Sequence, residues 1–188
     1  MDEFEYITVL LSIILGLGVT QLLSGFARLL RDGRSLARAW WVMVIVLTLL
    51  LGILQVWWIS FIWREVQDWT FFAYLAFMVL PILLYLAAYL VLPADLHLDG
   101  DALAQAFIER RRPFYAIIAL VPLGSFVQQR LLSGELPQAD LDTLLRLCWL
   151  AVALPGFASR RSAVQACVAL LSLALMLVYI CLLFIDLR

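Results

Sequence analysis

Lysine and asparagine are absent from the 188-residue sequence, and histidine occurs only once. All thirteen basic residues are therefore arginines, and the formal net charge of -1 gives no overall basic field that would attract nucleic acid. The single histidine, His97, is followed by Asp99 and Asp101, but a metal site needs several converging ligands. A haem held by two histidines is excluded by count. We expect no metal and no cofactor.

Cysteine is also scarce: Cys148, Cys167 and Cys181 all lie in apolar segments, with no CxxC spacing. An odd number of such cysteines argues against a disulfide framework and against a metal knuckle. The catalytic patterns GxSxG and HExxH are missing too. With no second histidine to act as a base, we assign no catalytic residues, and an enzyme is the least expected class of function.

Hydrophobic residues are what the sequence has in abundance. They make up 65% of the chain, and the mean hydropathy is +1.02, whereas a soluble domain is about 45–50% apolar. About 20 apolar residues can cross a bilayer as a helix, because a helix satisfies its own backbone hydrogen bonds in lipid. Six segments approach this requirement, at residues 6–29, 39–63, 70–92, 113–132, 141–158 and 162–185. The sequence thus predicts an all-α membrane protein, a polytopic bundle of about six transmembrane helices in one domain over residues 1–188.

Two of these segments are less regular than the others. The fourth is interrupted by Pro122 and by Gln128-Gln129, and the fifth is short and contains Arg146. A four-helix core with two tilted or re-entrant segments is therefore the alternative. The loop before the fourth segment predicts a short helix over residues 101–112, which we expect along the cytoplasmic membrane surface. Pro113 would then occupy the first turn of the next helix.

The arginines predict the orientation of the bundle. Nine of the thirteen fall in the first, third and fifth connections, and short cytoplasmic loops collect basic residues. Both termini are therefore expected outside, which is the periplasm for a bacterial inner membrane. The acidic start Met1-Asp2-Glu3, with no small-residue cleavage site after the first apolar segment, favours a retained helix over a removed signal peptide.

The first helix carries small residues at four successive i+4 steps, Ser12, Gly16, Thr20 and Ser24. Small residues at this spacing let two helix backbones approach closely in lipid, where packing replaces the hydrophobic effect. The pattern predicts a helix-packing face. Its partner is a helix of the same chain or of another.

The other helices present less apolar faces, as expected when polar groups turn toward a bundle interior. These faces predict a candidate polar cavity lined by Gln21, Gln55, Tyr85, Gln129 and Arg146. The simpler alternative is that such side chains only hold the helices together, which serine, threonine and glutamine commonly do in membranes.

Two prolines, Pro81 and Pro122, fall near the expected midplane of their helices. Broken helices at that depth often form the substrate site of a transporter. However, no aspartate, glutamate or lysine lies in the central part of any predicted helix. Ion-coupled carriers usually keep such a group at depth, so an uncoupled transporter or channel is favoured over a pump.

Part of the sequence resembles a known group of proteins. The opening Glu5-Tyr6, the run VLLSIILGLGVTQLL from Val9 to Leu23, and the element Gln55-Val56-Trp57-Trp58 are similar to bacterial multi-pass membrane proteins of no established activity. The resemblance is clearest over the first half of the chain. It implies a bacterial inner membrane and carries no function with it.

The function expected from these observations is that of a membrane-embedded binding or interaction component. Its partners would be membrane lipid and either further copies of the chain or another membrane protein. The alternative is a small uncoupled transporter or channel for a small solute or ion, motivated by the midplane prolines and the polar faces. An intramembrane enzyme ranks third, because it would need a water-filled pocket around arginine and a nearby acid.

Overall fold

The computed structural model describes residues 3–32, 39–66, 68–92, 100–134 and 136–183. Within those ranges the chain forms six α-helices and one 3-10 turn, and no strand. The helices are α1 (Glu3–Asp32), α2 (Trp40–Ser60), α3 (Phe71–Val91), α4 (Gly100–Leu132), α5 (Leu141–Ala158) and α6 (Ser162–Leu183), and the 3-10 turn, Phe61–Glu65, follows α2.

Each of the six described helices is long and apolar enough to span a membrane. The predicted all-α bundle is confirmed, and the chain has the architecture of a multi-pass membrane protein. The fifth helix begins and ends at the predicted residues, Leu141 and Ala158. Its start is fixed by Asp140, whose carboxylate accepts a hydrogen bond of 2.9 Å from the backbone N–H of Thr143. The last predicted residues of the sixth helix, 184–185, lie outside the described ranges.

The division of residues 101–132 into a surface helix and a membrane helix is corrected by the structure, in which α4 is continuous. Its 33 residues measure about 50 Å at 1.5 Å per residue, which exceeds the roughly 30 Å of hydrocarbon. Its first part packs against α2, since Phe107 is buried with its ring 5.3 Å from that of Trp41. Pro113 lies within the helix on an exposed side.

The helices form a ring of five around a central space. Going round the ring, α2 contacts α3, α3 contacts α4, α4 contacts α5, α5 contacts α6, and α6 returns to α2. Helix α1 lies outside this ring against α2 and α3. We call the end where α1 begins the upper end and the opposite one, where α1 ends, the lower end. Helices α1, α3 and α5 run downward, and α2, α4 and α6 run upward.

Helix α1 approaches the ring through two glycines. A β-carbon at Gly18 would lie 3.0 Å from the Ile53 side chain, and one at Gly25 would overlap the Leu92 side chain at 2.7 Å. Between them, Leu22 is fully buried. The missing side chains at the two glycines therefore allow α1 to pack closely against α2 and the end of α3.

The predicted packing face of α1 points away from that contact. Ser12, Gly16, Thr20 and Ser24 are all exposed, and a β-carbon at Gly16 would meet nothing within 4 Å. The hydroxyl of Thr20 is satisfied locally by the carbonyl of Gly16, at 2.8 Å. This face has no partner helix within the described part of the chain, and it remains available to another molecule.

Candidate functional site: an intramembrane cavity

A cavity of about 430 Å³ occupies the space within the helix ring. This volume falls within the range of roughly 300–1,000 Å³ found for small-molecule sites. Residues of α2, α4 and α6 form most of the wall, and α3 and α5 contribute two residues each, Leu80 with Leu84 and Arg146 with Trp149. Most of the wall is apolar, with polar groups at a few positions. This is the composition of a site that holds a ligand by its apolar surface and orients it by hydrogen bonds.

The less apolar faces of three helices converge on this cavity. Helix α2 contributes Thr48, Gly52 and Gln55, which succeed one another at steps of three or four residues. Helix α4 contributes a similar series that includes Pro122 and Ser125. The cause is the helical period of 3.6 residues, which places such positions on one side. Helix α6 adds Ala169 and Ser172.

The cavity has its most polar group at the upper end. The Arg146 guanidinium binds both carboxylate oxygens of Asp142, from Nε at 3.0 Å and from Nη2, and its Nη1 donates to Gln129 Oε1 at 3.1 Å. The Tyr179 hydroxyl donates to Asp142 at 2.8 Å. The Arg146 and Asp142 side chains are only 15% and 19% exposed. Opposite charges neutralise each other here, so the arginine is not a bare cation that awaits an anion.

Gln55 lies deeper in the cavity and has no such partner. It is 9% exposed, it lines the cavity, and its amide nitrogen makes no hydrogen bond. Neighbouring Thr48 is satisfied, because its hydroxyl donates to the carbonyl of Val44 at 2.8 Å. An unsatisfied buried amide is costly, so each one in a native fold needs an explanation.

The lower end of the cavity is sealed by a hydrogen-bonded contact between three helices. The Tyr115 hydroxyl donates to Gln165 Oε1 at 2.8 Å, and Gln165 Nε2 donates to the carbonyls of Gly156 at 2.9 Å and Ser159 at 2.7 Å. Gln165 is 0% exposed. The bonds to Gly156 and Ser159 satisfy carbonyl oxygens at the end of α5 that have no partner in the helix. Gly156 permits this geometry, because a β-carbon there would overlap the Tyr115 ring.

An aromatic layer lies next to this seal. Phe107 packs edge-on against Trp41 and Phe114, with ring centroids 5.3 and 5.1 Å apart, and Phe114 packs in the same way against Tyr115. All four rings are buried. At the upper end, by contrast, the cavity wall includes Ile62 and Ser133, which are exposed. The cavity wall therefore ends among buried residues below and includes exposed residues above.

The structure places the predicted cavity residues in two groups. Gln55, Gln129 and Arg146 line the cavity. Gln21 and Tyr85 do not, because their helix faces turn toward the contact between α1 and α3. The Gln21 amide donates to the carbonyl of Leu92 at 2.7 Å, and half-buried Tyr85 has its Cα 3.8 Å from the β-carbon position of Gly18. At Gln21, therefore, the polar side chain joins α1 to the end of α3.

Sequence reasoning did not assign Asp142 and Tyr179 to the site. The spacing of Asp142 and Arg146, four residues apart on one helix, is a recognisable ion-pair pattern and would have identified the carboxylate. No local pattern identifies Tyr179, because its contact with Asp142 joins two helices. The same is true of Tyr115 and Gln165, which are 50 residues apart in the sequence.

The wall of the cavity offers apolar surface and a few hydrogen-bonding groups. Arg146 is the only charged residue of the cavity wall in the described part of the chain. No group of three or more histidine, cysteine or acidic side chains comes together among the described residues. His97 lies outside them. Cys167 and Cys181 are on exposed faces of α6, and Cys148 is half-buried but not in the cavity wall.

Comparison with known proteins finds no relative. No family model matches the chain, and no curated protein and no solved structure is significantly similar to it.

Proposed function

We propose that this chain is a membrane-embedded binding protein. It holds a small, mainly apolar molecule in the cavity inside the ring formed by helices α2 to α6. The observation that carries the proposal is the cavity itself, an apolar space of about 430 Å³ with a few oriented polar groups. Interiors of proteins are normally packed without voids of this size. A bound molecule accounts for a space that packing alone would have closed.

Filling the cavity tests the proposal. Ser172 lines it on α6, and Ser172→Phe would place an aromatic ring inside. Ser162→Phe is the matched control, because Ser162 is exposed at the lower end of the same helix. Native mass spectrometry of gently extracted protein should show a retained small molecule in the parent and in Ser162→Phe, and its loss in Ser172→Phe. Protein that carries no small molecule in any variant would count against the proposal.

The second candidate is a small uncoupled transporter or channel. It is favoured by the length of the cavity, which follows α2 from Ile45 to Ile59, about 21 Å at 1.5 Å per residue. The Tyr115–Gln165 seal would then be a gate. In proteoliposomes, Tyr115→Phe should raise the flux of potassium ions or glycerol, because it removes the hydroxyl of the seal. Equal and negligible flux in both proteins would exclude this candidate.

We place the protein in a bacterial inner membrane, with both termini on the periplasmic side. The support is the distribution of arginine, since Arg28, the run Arg110–Arg112 and the pair Arg160-Arg161 all lie at or near the lower end of the bundle. Of these, Arg112, Arg160 and Arg161 are exposed, and their guanidinium groups suit anionic lipid headgroups. A reporter that is active only in the periplasm should be active when it is fused to the carboxyl terminus. A reporter that is active only in the cytoplasm should be inactive at the same position.

The exposed small-residue face of α1 further supports assembly with another copy or with a membrane partner. Gly16→Leu would add bulk where a neighbouring helix would approach. It should weaken association in cross-linking within native membranes, whereas Ile13→Leu, on another exposed position, should not. Unchanged association in both variants would remove this part of the proposal.

A further inference from the structure

We propose that the ligand of the cavity is a neutral, membrane-soluble molecule with a carbonyl oxygen that accepts a hydrogen bond from the Gln55 amide. This inference rests on the proposed binding function and adds the chemical class of the ligand. Its starting point is Gln55, which is more than nine-tenths buried, faces the cavity and has an amide nitrogen without a partner.

The protein provides no acceptor for the amide nitrogen of Gln55, although this side chain is buried. Gln165 has the same side chain and is fully buried, and there the protein satisfies both its oxygen and its nitrogen. An amide donor left without an acceptor destabilises the fold, because its bond to water in the unfolded state is not replaced. A ligand oxygen at this point supplies the acceptor that the chain lacks.

The charges of the site determine that the ligand is neutral. The one cation of the described wall, Arg146, is already bound to Asp142, and no carboxylate belongs to that wall. An anionic ligand would place a second negative charge near the Asp142 carboxylate with no further cation to balance it. A cationic ligand would find no free carboxylate in the cavity wall. Desolvating a charge without a partner is costly in an apolar cavity.

The depth of Gln55 distinguishes among carbonyl compounds of the membrane. The apolar span that contains α2 runs from Trp40 to Glu65, and Gln55 lies within about 4 Å of its middle at 1.5 Å per residue. The ester carbonyls of bilayer phospholipids stay at the headgroups, about 15 Å from the midplane of a 30 Å hydrocarbon core. A molecule without a headgroup, such as a quinone or a long-chain ketone, can carry its carbonyl to this depth.

The experiment compares three probes on purified, delipidated full-length protein. The probes are decylbenzoquinone, with ring carbonyls, 2-dodecanone, with a chain carbonyl, and decylbenzene, with none. Dissociation constants are measured by titration calorimetry in dodecyl maltoside for the parent, Gln55→Leu and Gln105→Leu. Gln55→Leu keeps a similar size and removes the unsatisfied amide. Gln105→Leu is the control, since Gln105 is an exposed glutamine near the start of α4.

We expect Gln55→Leu to weaken binding of at least one carbonyl probe about tenfold, the loss of one buried hydrogen bond. Binding of decylbenzene should be unchanged, and Gln105→Leu should behave as the parent. A loss of affinity for decylbenzoquinone indicates a ligand with a ring carbonyl, and a loss for 2-dodecanone indicates one with a chain carbonyl. If all three probes bind and Gln55→Leu weakens none selectively, the carbonyl inference is wrong and the binding function stands. If no probe binds any protein, both are overturned.

Discussion

The lower and upper ends of the helix ring use the same residue types in opposite ways. Below, Tyr115 and Gln165 form a dry contact in which every polar atom named has a partner. Above, Gln129, Arg146 and Tyr179 are also hydrogen-bonded, but they border an open space. Packing around the first group leaves no room even for a β-carbon, whereas packing around the second leaves a cavity.

The contrast between the two ends shows how a site is recognised among the polar residues of a membrane bundle. The polarity of a side chain does not decide its role, because glutamine holds helices together at Gln165 and Gln21 and faces an empty volume at Gln55. What separates the roles is whether the protein itself satisfies the group. The largest effects on stability are therefore expected at the lower end, and the effects on binding at Gln55 in the cavity wall.

The largest loss of stability is expected from Gly156→Ala. Its added β-carbon overlaps the Tyr115 ring, and over-packing of this kind costs about 3 kcal/mol of unfolding free energy. Gly16→Ala is the control, because nothing lies within 4 Å of its β-carbon. Unfolding by SDS in mixed micelles measures both. Equal stability of the two alanine variants would show that the lower end is loosely packed.

Gln165→Leu should cost somewhat less, about 2 kcal/mol. Three hydrogen bonds are lost together, and single bonds between helices in membranes average about 0.6 kcal/mol. Ser172→Ala, on the same helix, removes a hydroxyl from the cavity wall and should leave the midpoint of thermal unfolding almost unchanged. A stable Gln165→Leu protein would mean that the lower seal does not depend on its hydrogen bonds.

At the upper end, Arg146→Leu should destabilise by about 1–2 kcal/mol, because it leaves the Asp142 carboxylate without its cation in a site that is mostly shielded from water. The double variant Asp142→Leu/Arg146→Leu should recover part of this loss. The coupling energy from the four proteins, measured by SDS unfolding, checks the pair. Purely additive effects would contradict a direct interaction.

The smallest effect is expected at Asp140, outside the membrane-spanning part. The backbone N–H of Thr143 donates to its carboxylate and holds the pKa of Asp140 below its ordinary value. A depressed pKa adds stability above the ordinary value of about 4, and that stability is lost as the pH falls through the folded-state pKa. Asp140→Asn keeps a capping oxygen and should flatten this acid-side decline in the thermal midpoint. If the thermal midpoint of Asp140→Asn fell with acid as in the parent, the loss of stability would come from other carboxylates.

Much of the fold could be predicted because, in lipid, the position of each helix depends on the residues of that segment alone. Each span must satisfy its backbone within one helix, so run length and apolar composition were enough to locate six helices. The exception was the stretch before Pro113. Proline is common at a helix start, but here Phe107 packs on Trp41, and this distant contact holds the preceding turns in the same helix.

Of the candidate site, the faces of α2, α4 and α6 could be predicted, since residues three and four apart share a side of a helix. Which neighbouring helix each face contacts could not be predicted. Gln21 and Tyr85 satisfy the same pattern as Gln55, yet they lie at the contact of α1 with α3. The order of helices around the ring is set by packing between side chains far apart in sequence.

Six membrane-spanning helices follow from the order of residues along the chain, because hydrophobicity and helix length depend on consecutive residues alone. The helix packing adds that five helices enclose a cavity, that Asp142 neutralises Arg146 and that the Gln55 amide nitrogen lacks a partner. The physical reason is that cavities and unmet hydrogen bonds are properties of the space between helices. No single helix contains the information that defines that space.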